Sequence, residues 1–138
     1  MRKTSEEVEA DIYAALKNSS IKDLISGKIY LNGTRPLDAR TEDGVITFLS
    51  GIDIQVQTGI VNVNIYVPNI NNGQSKGLKI KDVKRCKEIS MALQSFQLSI
   101  RILGEYYIEL DSMIKTFEAD EIEEYFVNCR LKFKRITF

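Results

Sequence analysis

From Val61 to Val67 the apolar residues Val61, Val63, Ile65 and Val67 alternate strictly with Asn62, Asn64 and Tyr66, and Pro68 follows. Successive side chains of an extended chain point to opposite faces, so a period of two describes a strand with one face covered and the other polar. Upstream, Val45 to Leu49 is rich in β-formers, and Ile54 and Val56 continue the alternation in the opposite parity to Val61. That change of parity predicts a frame shift near Thr58-Gly59 through a turn or bulge. The whole stretch reads as a long antiparallel hairpin. A second half-covered strand is expected near the C-terminus, where Tyr125, Val127, Cys129, Leu131 and Phe133 alternate with Phe126, Asn128, Arg130, Lys132 and Lys134.

Helical signals flank the hairpin. Thr4 and Glu7 have the spacing of a reciprocal N-terminal cap, and Val8, Ile12, Ala15 and Leu16 then recur at helical intervals, predicting a helix to about Lys17. Ile21, Leu24 and Ile25 add a short turn or helix, with Gly27 expected as its stop. Lys28 to Leu31 reads as a brief strand, and Asn32 to Gly44 as a surface loop, given Gly33, Pro36, Asp38 and Asp43-Gly44. From about Lys81, the recurrence of Val83, Cys86, Ile89, Leu93 and Phe96 predicts the main packing helix, with Lys81, Lys84, Arg85 and Lys87 on its outside. Gly104 ends the apolar tail that follows, and Tyr106, Ile108 and Leu110 suggest a further strand. The order helix, strands, helix, strands indicates a single α+β domain over residues 1–138, with helices on one face of a mostly antiparallel sheet.

Composition removes several kinds of chemistry. There is no histidine, which excludes Ser-His-Asp catalysis, histidine-bearing metal sites and imidazole acid/base work. The two cysteines, Cys86 and Cys129, lie within apolar patterns and are expected as buried, reduced thiols. The glycines form no phosphate-cradling loop. Nineteen Lys and Arg balance nineteen Asp and Glu, which argues against a free-standing nonspecific nucleic-acid binder. No apolar run approaches the roughly 18 residues of a membrane span, and the start of the chain is polar where a signal peptide is apolar, so a protein kept inside the cell is expected.

Two charge clusters stand out. Glu118, Asp120, Glu121, Glu123 and Glu124 fall between the last two strands, where a solvated turn is expected ahead of a Ca²⁺ or Mg²⁺ site, since no EF-hand spacing is present. Lys76, Lys79, Lys81, Lys84, Arg85 and Lys87 form a basic counterpart, read first as a solvated helix face. The Arg130, Lys132 and Lys134 stripe is placed on one side of the final strand, blunting an exposed sheet edge or pairing with acidic residues of a neighbour.

The helix around Asp11 to Leu16, the Gly27-Lys28-Ile29-Tyr30 segment, Pro36, the hairpin ending Val61 to Val67 and the last strand from Phe126 to Phe133 together resemble the tail-completion, or tail-terminator, proteins of long-tailed phages. The likeness is one of element order over nearly the whole domain. The chain departs from the pattern in a longer Asn-rich loop and in lacking a Trp after the hairpin strand. The resemblance implies a non-enzymatic virion protein, forming a ring that is usually hexameric, capping the tail tube and joining it to the head. It implies partners in its own copies, tail-tube protein and head-connector protein, and a location in the bacterial cytoplasm during assembly and in the virion afterwards. In such an assembly Asn62, Asn64 and Tyr66 are the hairpin's outer face. Asn69, Asn71, Asn72, Gln74 and Lys76 belong to a loop open to the tube or connector, and Arg130, Lys132 and Lys134 are contacts. No cofactor, metal, membrane or sequence-specific nucleic acid is expected. Two other readings stay open: a small adaptor with a single partner, and an enzyme using Glu105, Glu109 or Asp111 beside Tyr106-Tyr107.

Overall fold

Thr4 starts helix α1 (Ser5–Lys17) with the expected reciprocal cap. Its hydroxyl accepts from the Glu7 N–H at 3.3 Å, and its own N–H donates to Glu7 Oε1 at 3.2 Å, so two donors at the helix start are satisfied. Thr4→Ala is expected to cost about 1 kcal/mol in urea unfolding, and an unchanged midpoint would show that the cap contributes nothing. The helix buries Val8, Ile12 and Leu16 on one stripe. The structure, a computed structural model, describes residues 2–70, 80–119, 122 and 124–136.

Helix α2 (Ile21–Leu24) is a single turn that ends with Ile25 already extended. Gly27 is therefore not its stop. An added Cβ there would collide with the Asp43 carboxylate and come within 2.6 Å of the Glu42 carbonyl, so this glycine makes room for the chain that returns beside it. Strand β1 (Ile29–Leu31) then lies parallel to β2 (Gly44–Ile52), which forms an antiparallel hairpin with β3 (Val56–Pro68).

The hairpin is as long as its sequence predicts, but the irregularity lies elsewhere. Strand β3 keeps one parity throughout, with Gln57, Gly59, Val61, Val63, Ile65 and Val67 facing inward. The register shifts instead in β2, between Phe48 and Ser50. Ile54 and Val56 misled because they are exposed at the hairpin tip, whereas the inward position beside them is filled by Gln57, which binds the Lys3 backbone N–H and carbonyl at 3.1 and 2.8 Å.

Helix α3 (Val83–Ser99) is capped by the Asp82 side chain and buries Cys86, Ile89, Leu93, Phe96 and Gln97. Strands β4 (Ile102–Leu103) and β5 (Tyr106–Leu110) form a tight hairpin around Gly104, whose φ of +57° suits a residue without Cβ. Strand β6 (Lys115–Ala119) has no counterpart among the sequence expectations, and the last strand, β7, runs from Glu124 to Ile136.

Among the described residues the sheet has seven strands in the order β1-β2-β3-β7-β5-β4, with β6 also on β7. Strand β7 pairs with β3 along its full length, and on its other side with β6 and β5 placed end to end. It is thus an interior strand, and the Arg130, Lys132 and Lys134 stripe blunts no edge. Period-two alternation reports which face is wet, and it carries no information on which strands lie beside it. Helices α1 and α3 cover the inner face, where Ile46, Val61, Val63, Ile65, Ile108, Val127, Cys129 and Leu131 join the helical stripes in one core. The architecture is α+β, with helices on one face of a mostly antiparallel sheet.

Candidate functional site

The face of the sheet opposite α1 and α3 brings together many of the residues singled out from sequence. On it Asn62 lies opposite Arg130, Asn64 opposite Asn128, and Tyr66 opposite Phe126. Asn128 donates to Asn64 Oδ1 at 2.6 Å, a cross-strand amide bond that ties the two central strands on their outer side. The Asn62 side-chain oxygen is enclosed with no hydrogen-bond partner among the described residues. Lys132 and Lys134 are exposed, and with Tyr107 and Glu109 they line a shallow depression of about 200 Å³. Asn69 is half-buried just beyond β3, while Asn71, Asn72, Gln74 and Lys76 lie outside the described residues.

Further along this face an aromatic row crosses three strands. Phe117 of β6 stacks on Phe126 at 5.5 Å, Phe126 meets Tyr66 at 5.5 Å, and the Arg35 guanidinium sits 4.3 Å over the Tyr66 ring. Arg35 comes from the segment expected as a surface loop. It donates to Asp43 at 2.9 Å and to both Glu124 oxygens at 3.0 and 3.1 Å. The Glu124 side chain is wholly buried and that of Asp43 is 1% exposed. Burial raises the Glu124 carboxyl above its ordinary value, against the pull of Arg35. Burial also disfavours the Arg35 cation, but its two carboxylate partners outweigh that and raise its pKa.

Two sequence expectations are overturned here. Glu124 is not part of a solvated acidic turn, and Glu118 lies exposed within β6. Asp120, Glu121 and Glu123 lie outside the described residues. Arg85, expected on the outside of α3, turns inward and grips Glu42 through two bonds of 2.6 and 2.8 Å, while also donating to the Leu24 carbonyl. It staples α3 to the end of α2 and the start of β2. Both departures share a cause: a charged side chain is buried when a partner distant in sequence neutralises it, and no local pattern announces that partner.

The carboxylates weighed as acid and base do not converge. Glu105 pairs with Arg135 at 2.7 Å, Asp111 pairs with Arg130 at 2.9 Å, and Glu109 lies opposite Lys132. Tyr106 and Tyr107 point to opposite faces of the sheet, Tyr106 inward with its hydroxyl on Asp11 at 2.6 Å. Both cysteines are buried and free, and burial pushes the Cys129 thiol up to about 12. Among the described residues no cluster of three or more Asp, Glu or Cys is placed to hold a metal ion. Nor is any helix among them long and apolar enough to cross a membrane.

No family model and no curated protein matches the sequence. Among solved structures, one aligns over 99% of this chain and 99% of its own length, with a TM-score of 0.58 at 10% identity. At that identity the likeness is one of fold alone: a domain with this course of helices and strands exists elsewhere under a very different sequence.

Proposed function

We propose that this protein is a structural component of a phage tail that assembles with copies of itself into a ring at the head-proximal end, completing the tail tube and joining it to the head. The observation that carries this reading is the division of the sheet. One face is sealed by α1 and α3, and the opposite face, with half-buried Asn62, Asn64, Asn128 and Arg130 and the exposed lysines beside them, carries no helix among the described residues, the Arg35 segment covering it at the Tyr66 and Glu124 end. A small domain of this kind has one side committed to its own core and another free for association. The apolar hairpin tip adds to it, since Ile52, Ile54 and Val56 are exposed together with Ile136, the cross-strand partner of Val56. The element order of the sequence, which resembles tail-completion proteins, supplies the particular assembly. On this reading the partners are tail-tube and head-connector proteins, and the protein acts in the bacterial cytoplasm and then in the virion.

Sedimentation velocity and negative-stain electron microscopy of the purified protein test the proposal. A closed ring of fixed stoichiometry that also caps tail tubes is expected. A protein that stays monomeric at high concentration and forms a one-to-one complex with a single captured partner would be an adaptor instead.

A further inference from the structure

We infer that the groove along the outer side of β1 is a docking site for an acidic, extended segment of a partner protein, which joins the sheet as a further strand. The inference goes beyond the ring reading and does not depend on it. Among the described residues β1 pairs only with β2, so the ladder ends there. The bonds that β1 already makes fix the direction of its backbone groups. The Lys28 carbonyl accepts from the Gly44 N–H at 2.9 Å, and the Lys28 N–H donates to Asp43 Oδ1 at 2.8 Å, so Lys28 turns both groups to the β2 side. Alternation along an extended chain then points the Ile29 N–H and carbonyl, and the Leu31 N–H, away from β2. The Leu31 carbonyl accepts from the Thr34 N–H and hydroxyl, which closes the edge at that end. What is left is a short stretch of backbone, from the Ile29 N–H to the Leu31 N–H, turned toward the groove.

The groove has a volume of about 560 Å³, within the ordinary range of ligand clefts. The backbone from Gly27 to Leu31 makes one wall, and Tyr13 and Lys17 of α1 with Lys22 of α2 make the other. Lys17, Lys22 and Lys28 are exposed, and among the described residues no carboxylate lines the groove. Lys17 is held against its wall, with Nζ 5.3 Å over the Tyr13 ring. Asp43, which lies against Gly27, is 1% exposed and is neutralised by Arg35 at 2.9 Å, while the exposed Asp23 is not part of the lining. Lysines in open solvent would do no more than protect an edge. Here they surround a cleft with room for side chains, whose half-buried Tyr13, Tyr30 and Leu31 offer apolar surface between the charges.

These features select one kind of occupant. A row of outward backbone donors and acceptors recognises another polypeptide backbone, which a nucleic acid does not carry. Positive charge without a local counterpart selects a strand bearing Asp or Glu, with apolar side chains between them to meet the tyrosines. Two grooves of this kind repel each other, so the same edge of a second copy is disfavoured.

The probe is a short acetylated and amidated peptide that alternates Glu with Val, compared with one that alternates Lys with Val. Each is titrated into the isotope-labelled full chain by NMR, and amide hydrogen exchange is measured with and without saturating peptide. The acidic peptide is expected to bind and the basic one not. Exchange should slow at Ile29 and Leu31 and stay unchanged at Gly44, whose N–H is already bonded. Lys22→Glu/Lys28→Glu, first checked by circular dichroism, should weaken binding about tenfold, because each reversal turns an attraction into a repulsion of similar size. Should that variant fail to fold, Lys22→Gln/Lys28→Gln is expected to weaken binding in the same direction by a smaller factor. Equal behaviour of the two peptides, or binding by neither, overturns the assignment. So does acidic-peptide binding that leaves exchange at Ile29 and Leu31 unchanged, since that is adhesion of charges without a strand. A single-stranded oligonucleotide that perturbs the same amides more strongly than the peptide would make the groove a phosphate site, and self-association abolished by the lysine reversals in the absence of peptide would make the occupant a second copy; either result overturns the proposal. Rings seen in sedimentation with a groove that takes no acidic peptide remove this inference and leave the ring reading standing, whereas a monomer that binds the peptide does the reverse.

Discussion

Arg35→Ala is expected to lower the unfolding free energy by about 3 to 5 kcal/mol at neutral pH, the range seen when one member of a buried ion pair is removed. The substitution leaves Asp43 and Glu124, both almost without solvent contact, facing each other's neighbourhood with their shared cation gone. It also strips the Tyr66 ring of the guanidinium stacked on it. The deficit should depend on pH in a definite direction. Burial already raises the Glu124 carboxyl in the folded protein, and losing Arg35 raises it further. A folded-state value above the unfolded one means that the group's contribution is fully present below the unfolded value of about 4.5 and is lost as pH rises through the folded value. The variant should therefore fall furthest behind wild type near neutrality and recover part of the difference on acidification toward pH 4.5. Arg35→Lys should recover little, since one ammonium cannot reproduce a fork that meets both carboxylates. Urea unfolding curves at two pH values decide the matter, and a deficit below about 1 kcal/mol at neutral pH would mean that the cluster is structurally idle.

The same cluster shows where sequence patterns lose their grip. Alternation identified Val61 to Val67 and Tyr125 to Phe133 as half-covered strands, because each inward residue repeats a local signal that the pleat dictates. The Thr4 cap and the Cys86, Ile89, Leu93 and Phe96 stripe were legible for the same reason: donor, acceptor and packing partner lie within a few positions of one another. Arg35 and Glu124 lie 89 positions apart, and Arg85 and Glu42 lie 43 apart. Read locally, these are loop, turn and helix-surface charges, and nothing short of the fold could bring them inside. Strand β6 escaped notice because five residues at a sheet edge, only one of them buried, carry almost no periodicity. Of the residues proposed for association, Asn62, Asn64, Tyr66, Arg130, Lys132 and Lys134 do share one face, since parity on two adjacent strands is enough to predict that much.

Phe133→Ala is expected to be nearly as damaging, at about 3 to 5 kcal/mol for loss of a buried aromatic side chain. Phe133 is 3% exposed and meets the Phe48 ring at 6.2 Å and the Tyr106 ring at 5.7 Å, so its removal opens a cavity bounded by three strands. Its ring also lies over Gly59, where an added Cβ would fall 2.7 Å from Phe133 Cε1 and 2.6 Å from the Ser50 carbonyl oxygen. Gly59 is thus an inward position near the hairpin end of β3 whose missing side chain is supplied by the aromatic ring of the neighbouring strand, and Gly59→Ala alone should cost about 1 to 3 kcal/mol through overpacking. The two residues compete for one volume, so their effects should not add. In the Phe133→Ala background the added Cβ no longer meets the ring, leaving the Ser50 carbonyl as its nearest neighbour, and the double variant should be more stable than the sum of the single losses predicts, with a coupling of at least 0.5 kcal/mol. Strict additivity in a double-mutant cycle would mean that the backbone around Ser50, and not the ring, forces glycine at this position. That outcome would move the origin of the constraint from packing across β3 and β7 to the register shift in β2, which begins one residue before Ser50.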